Sequence, residues 1–182
     1  MRLTERQGKI RMGIGIENYR EMREKGNYYV DKTRLIAEYL EAEDKVTLLM
    51  RPRRFGKTLN MSMLAEFFDI TKDSADIFEG TEIMGTKWVS EMNQYPVISL
   101  SFANVRGDSE EFLVEFLALE IRREYMRYEF LWEEKKVPEN MGRALSEIYK
   151  SLWSTKISDR GVYLTKSITE LCRALELYYG KK

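Results

Sequence analysis

The stretch from Lys45 to Asp69 constrains the fold more than any other part of the chain. Val46-Thr47-Leu48-Leu49-Met50 is an uncharged apolar run of strand length. Arg51-Pro52-Arg53-Arg54-Phe55-Gly56 reads as a turn, and Lys57 to Asp69 places Leu59, Met63, Leu64, Phe67 and Phe68 on one wide helical face. Strand, loop and helix with Gly56-Lys57-Thr58 at the junction is the order of a phosphate-binding loop. In such a loop, backbone N–H groups and the helix dipole attract phosphates. The lysine reaches the β- and γ-phosphates and the hydroxyl that follows ligates Mg²⁺. The strict pattern places its first glycine where this chain has Arg51, and Pro52 biases Arg51 towards extended backbone, so a wider or differently shaped loop is expected. Between Lys45 and Ala65 there are five basic residues and no acidic one. A solvated basic turn paired with carboxylates elsewhere is the alternative. Clustering at a strand–helix junction favours an anion, because the dipole adds to the side-chain charge.

The rest of the chain supplies few strands and many helices. Residues 1–15 read as an N-terminal arm and 16–182 as one domain. Residues 16–25 form a short helix stopped by Gly26-Asn27, and Tyr28-Tyr29-Val30 reads as a weak strand. Asp31 caps a helix bearing Leu35, Ile36, Tyr39 and Leu40. Residues 70–94 are irregular, with Phe78 and Trp88 as anchors, and Pro96 introduces a strand over 97–102. Asp108 with Glu111 predicts a capping box for a helix that runs to about Leu131 and turns Phe112, Phe116 and Leu117 inward. Two more helices follow over 139–154 and 159–179, the last ended by Gly180. The expected class is α/β.

Composition excludes several chemistries. The chain has 182 residues, about one domain, and 30 basic against 30 acidic residues, so it carries no global basic coat. It has no histidine, which removes Ser-His-Asp and Cys-His catalysis and histidine-ligated zinc. Its single cysteine, Cys172, makes no internal disulfide and takes a core position beside Ile168, Leu171 and Leu175 on helical spacing. No run approaches the roughly 20 apolar residues of a membrane span, and the charged N-terminus has no signal-like apolar segment. A cytoplasmic protein is expected.

Several segments together resemble one family. They are Gly15-Ile16-Glu17-Asn18-Tyr19, Tyr28-Tyr29-Val30-Asp31-Lys32-Thr33, Arg51 through Leu64, Phe67-Phe68-Asp69 and Tyr95 through Phe102. The chain resembles, over about residues 12–182, the AAA-ATPase-like family of uncharacterised prokaryotic proteins, whose Arg-Pro-Arg-Arg-Phe-Gly-Lys-Thr version of the loop is specific. The resemblance implies a three-layer P-loop NTPase domain of the ASCE type with ATP and Mg²⁺ as ligands. It places Arg51, Pro52, Arg53, Arg54, Phe55, Gly56, Lys57 and Thr58 at the nucleotide, Lys57 on the phosphates and Thr58 on the magnesium. Longer members carry a C-terminal nuclease-like domain of the PD-(D/E)xK kind. No role follows for Lys32, and helix capping accounts for Asp31.

Hydrolysis would need an acidic Walker B residue at a strand end. The strand over 97–102 ends in Phe102-Ala103-Asn104, without one. In the family, such a strand follows a segment like Tyr178-Tyr179-Gly180-Lys181-Lys182. The expectation is therefore an incomplete domain, an N-terminal fragment lacking the Walker B and later strands, marginally stable or self-associating, and unable to hydrolyse ATP alone. Two alternatives remain. One is a nucleic-acid or polyanion-binding module that uses the arginines without nucleotide. The other is a non-catalytic remnant that pairs with a full-length relative. Trp88, Trp132 and Trp153 are expected as packing anchors. Tyr125, Tyr128 and Phe130 lie among Arg122, Arg123 and Arg127 with Glu120, Glu124 and Glu129 between, which reads as a surface helix with ion pairs.

Overall fold

The computed structural model describes residues 11–50, 52, 54–103, 109–154 and 156–181; the side chains of 158 and 159 lie outside that set. The chain divides into two units, the first ending at Val97 and the second beginning at Ile98.

The first unit is built on α1 (Tyr19–Glu24), α2 (Arg34–Ala42), α3 (Lys57–Phe68) and α4 (Ala75–Phe78), followed by 3₁₀ turns at Glu82–Gly85 and Lys87–Glu91. Met63 and Phe67, one helical turn apart on α3, are fully buried with Tyr19, Ile36, Phe78 and Ile83. The apolar face read from the sequence is thus the buried face, with Leu59, Leu64 and Phe68 packed at its margin. Phe78 holds the centre, its ring 4.9 Å from that of Tyr19 and 5.4 Å from that of Phe67. Each such ring withdrawn from water contributes about 1.5–3 kcal/mol.

A polar cluster closes the far end of α3. Glu66, 2% exposed, accepts from Arg20 Nε at 2.9 Å, from Ser74 Oγ at 3.0 Å and from Lys72 Nζ at 2.6 Å. Asn93, at a positive φ of 54°, donates from Nδ2 to the carbonyls of Glu66 and Asp69, and its Oδ1 accepts the Ser74 N–H. Asn93→Ala removes these bonds and puts a less tolerant residue in left-handed backbone; it is expected to cost about 1–3 kcal/mol. Asn93→Gly relieves the backbone but not the lost bonds. Urea denaturation followed through the first unit should therefore rank wild type above both variants, and a wild-type-like glycine variant would show the side chain to be dispensable.

The second unit comprises α5 (Glu110–Arg127), α6 (Phe130–Glu133), α7 (Glu139–Ser151) and α8 (Ile157–Tyr179). Its core joins Ile121, Tyr125 and Tyr128 to Leu131, Leu145, Ile148, Leu171, Ala174 and Leu175. The Tyr125 hydroxyl donates to the Ser167 carbonyl at 2.8 Å, and burial pushes its ionisation well above the usual range.

The expected α/β three-layer domain is not the observed fold. Among the described residues there is no strand and no sheet, only one isolated parallel bridge between Asp69 and Tyr95. Residues 46–50 carry no ladder, and Val46, Leu48 and Met50 are exposed. Residues 28–30 and 97–102 likewise carry none. Strand-like composition favours a pleated, half-buried surface, but a strand exists only with a partner, whereas a helix satisfies its own backbone. Asp108 lies outside the described residues, and the cap of α5 is Ser109, whose Oγ accepts the Phe112 N–H at 3.4 Å. Phe112 is exposed rather than inward. Cys172 is also exposed, because the buried stripe of α8 runs through Leu171, Ala174 and Leu175 and turns the adjacent position outward. The expected ion pairs of α5 are present, Arg123 with Glu120 and Arg127 with Glu124. Tyr125 and Tyr128, however, are core residues rather than surface ones. Of the three tryptophans, Trp132 is buried, Trp88 packs at the margin of the first core, and Trp153 is exposed with the Arg122 guanidinium 4.3 Å from its ring.

Candidate functional site

The head of α3 is an unusual helix start. Gly56 is its N-cap, at φ 71° and ψ 28°, a conformation that glycine adopts freely. Among the described residues, a Cβ there would meet only the Lys32 ammonium, at 3.7 Å. Gly56 has no side chain with which to cap, and a helix leaves its first N–H groups without intrahelical partners. The first turn holds no acidic residue and begins with Lys57, so the side-chain charge opposes the dipole where an acid would complement it. Folding alone does not favour that choice, whereas an anion at the helix head does.

A cavity of about 260 Å³ opens beside this helix head. Lys57, Asn60 and Phe55 border it from α3 and its loop; Lys32, Arg34, Leu35 and Glu38 border it from α2 and the residues before it; Leu49 completes the wall. Arg34 and Glu38 on its border are paired with each other at 3.1 Å, and Lys32 and Lys57 are its other charged borders among the described residues. Asn60 Oδ1 is buried without a hydrogen-bond partner.

The Lys32 side of the wall is anchored from below. The Asp31 carboxylate accepts the Thr33 N–H at 2.8 Å and the Glu82 N–H at 2.7 Å. The buried Thr33 hydroxyl accepts the Ile83 N–H at 3.1 Å. Asp31 is therefore not the N-cap of α2, a place that Thr33 takes without a side-chain cap; it ties the start of α2 to the turn Glu82–Gly85. The Tyr29 hydroxyl accepts the Lys32 N–H at 3.2 Å and donates to Met63 Sδ. Burial pushes the Tyr29 hydroxyl up to about 12, so it stays protonated at neutral pH.

The residues singled out in the sequence fall into three groups. Phe55 and Lys57 border the cavity, and Gly56 stands between them as the N-cap of α3. Pro52, Arg54 and Thr58 are exposed, Arg54 at a positive φ of 69°, and Thr58 stands in the first turn of α3. Arg51 and Arg53 lie outside the described residues. Lys32, Arg34 and Asn60 complete the cavity and were not assigned from the sequence. The available signal for Lys32 was its place in the Tyr28–Thr33 segment.

A family model described as "Predicted AAA-ATPase" matches residues 13–164. The chain belongs to this family. A curated protein of Azotobacter chroococcum mcd 1, described as "Uncharacterized protein in vnfD 5'region", is 34% identical to this AAA-ATPase-like chain over 93 residues. That match covers 50% of the present chain but only 17% of the relative's length. No solved structure matches the chain. Among the described residues, no helix is long and apolar enough to cross a membrane, and no group of three or more acidic or cysteine side chains is placed to hold a metal ion.

Proposed function

We propose that this AAA-ATPase-like chain binds the phosphates of ATP, with Mg²⁺, at the head of α3. The observation that carries the reading is Lys57 on a glycine-started helix N-terminus that has no side-chain cap and no acid in its first turn, bordering the same cavity as Lys32. The residues fit the anion. The first turn lacks acids, Gly56 leaves room for close approach, and Glu38 is already engaged by Arg34. At about 260 Å³ the cavity is smaller than the roughly 300–1,000 Å³ of whole-ligand pockets, so it suits the phosphate end of a nucleotide.

In this reading the N–H groups of the first turn donate to phosphate oxygens, and the Lys57 ammonium holds the outer phosphates. The Thr58 hydroxyl would ligate the magnesium, which when bound neutralises phosphate charge. Arg51, Pro52, Arg53, Arg54 and Phe55 would add further contacts to the nucleotide, as the family's version of the loop implies. The test is titration of the chain with a fluorescent ATP analogue, with and without Mg²⁺, at several salt concentrations. Saturable binding that strengthens with Mg²⁺ is expected. Binding indifferent to Mg²⁺, falling steeply with salt and matched by any polyanion, would overturn the reading in favour of counterion release at the arginines.

A further inference from the structure

We propose that Lys32 is a second phosphate-binding lysine of this site, acting opposite Lys57; the inference rests on the nucleotide reading above. The two lysines border the same cavity from different parts of the chain. The Lys32 ammonium lies 3.7 Å from where a Cβ on Gly56 would stand, so it touches the loop rather than pointing away from it. Among the described residues it has no carboxylate partner, in contrast to Arg34, which Glu38 neutralises.

Its backbone is held in place. The Tyr29 hydroxyl takes the Lys32 N–H, and the residues on either side, Asp31 and Thr33, are bonded to the N–H groups of Glu82 and Ile83. Bringing a second cation next to Lys57 and a helix N-terminus is unfavourable by itself, since like charges and the dipole all repel it. A di- or triphosphate between the lysines reverses the sign of each of these interactions. A nucleoside monophosphate, with one phosphate to share, does so less. The ligand class is thus a polyphosphate chain, and Lys32 selects for its length.

The test compares wild type, Lys32→Ala, Lys32→Gln and Lys32→Arg for binding of MgATP, AMP and inorganic tripolyphosphate, with Lys25→Ala as a control at a lysine paired to Glu21 on α1. Loss of a charge-assisted hydrogen bond predicts about tenfold weaker binding of MgATP and tripolyphosphate in Lys32→Ala, a smaller change for AMP, and recovery in Lys32→Arg. Lys32 is exposed, so its variants should melt as wild type does. If the alanine variant unfolds, Lys32→Gln, which keeps most of the stem, decides by the same comparison. Wild-type binding of MgATP that Lys32→Ala and Lys32→Gln leave unchanged overturns the role of Lys32 and leaves the nucleotide reading standing. A wild-type chain that binds neither MgATP nor tripolyphosphate overturns both.

Discussion

Lys57→Ala is expected to weaken MgATP binding by about ten- to a hundredfold, the range set by losing a hydrogen bond to a charged group at about 1.5–3 kcal/mol. The same substitution should leave folding intact or improve it. Lys57 is exposed and opens a helix whose dipole disfavours a cation there, a penalty of about 0.3–1 kcal/mol that alanine removes. Binding is therefore expected to fall without a matching loss of stability, which a general loss of structure does not produce. Isothermal titration with MgATP reads the first and a thermal melt the second. A variant that keeps wild-type affinity would remove Lys57 from the site. Thr58→Ala should reduce the gain in affinity on adding Mg²⁺ and change metal-free binding little.

The second large effect lies at the other end of α3. Glu66→Ala is expected to destabilise the first unit by about 3 kcal/mol, the lower end of the cost of breaking a buried ion pair. The lower end applies because Arg20 and Lys72 are each about one-third exposed and can turn to water. Burial alone raises the Glu66 carboxyl, but the hydrogen bonds from Lys72 and Arg20 outweigh it and hold it below the ordinary 4.5. A carboxyl depressed in the folded state stabilises fully above its unfolded value. That contribution is lost as pH falls through the lower, folded value. Melting of the wild-type first unit should therefore decline on acidification below about pH 4.5. Glu66→Gln should start lower and lack that part of the decline. Equal acid profiles for the two proteins would show that Glu66 does not carry this pH dependence.

What the sequence disclosed depended on the range of the interaction. The buried face of α3 was legible because Met63 and Phe67 obey a period set by the helix itself. The Lys57 start was legible for the same local reason. The strands were not, since 46–50 has the composition of a strand but finds no ladder, and pairing is decided elsewhere in the chain. Tyr125 and Tyr128 show both outcomes at once. The neighbouring charges do form ion pairs along α5, Arg123 with Glu120 and Arg127 with Glu124, yet the two rings are buried in the core that α8 shares. Lys32 stayed unassigned because its segment, Tyr28–Thr33, carries the family resemblance but no phosphate-binding pattern. Its meaning comes from the proximity of Gly56, which is a tertiary fact.

The bonds from Asp31 and Thr33 to the turn Glu82–Gly85 span 51 and 50 residues of sequence. That turn borders no part of the cavity, yet it acts as the hinge-pin of one cavity wall. Each transient opening of the turn frees the backbone around Lys32, so the proposed affinity at the helix head would inherit the opening equilibrium of an element remote in sequence. Substitutions in the Glu82–Gly85 region would accordingly behave as tuning changes, altering how long a ligand stays without touching it, and a bound ligand would in turn slow hydrogen exchange at the Glu82 and Ile83 amides.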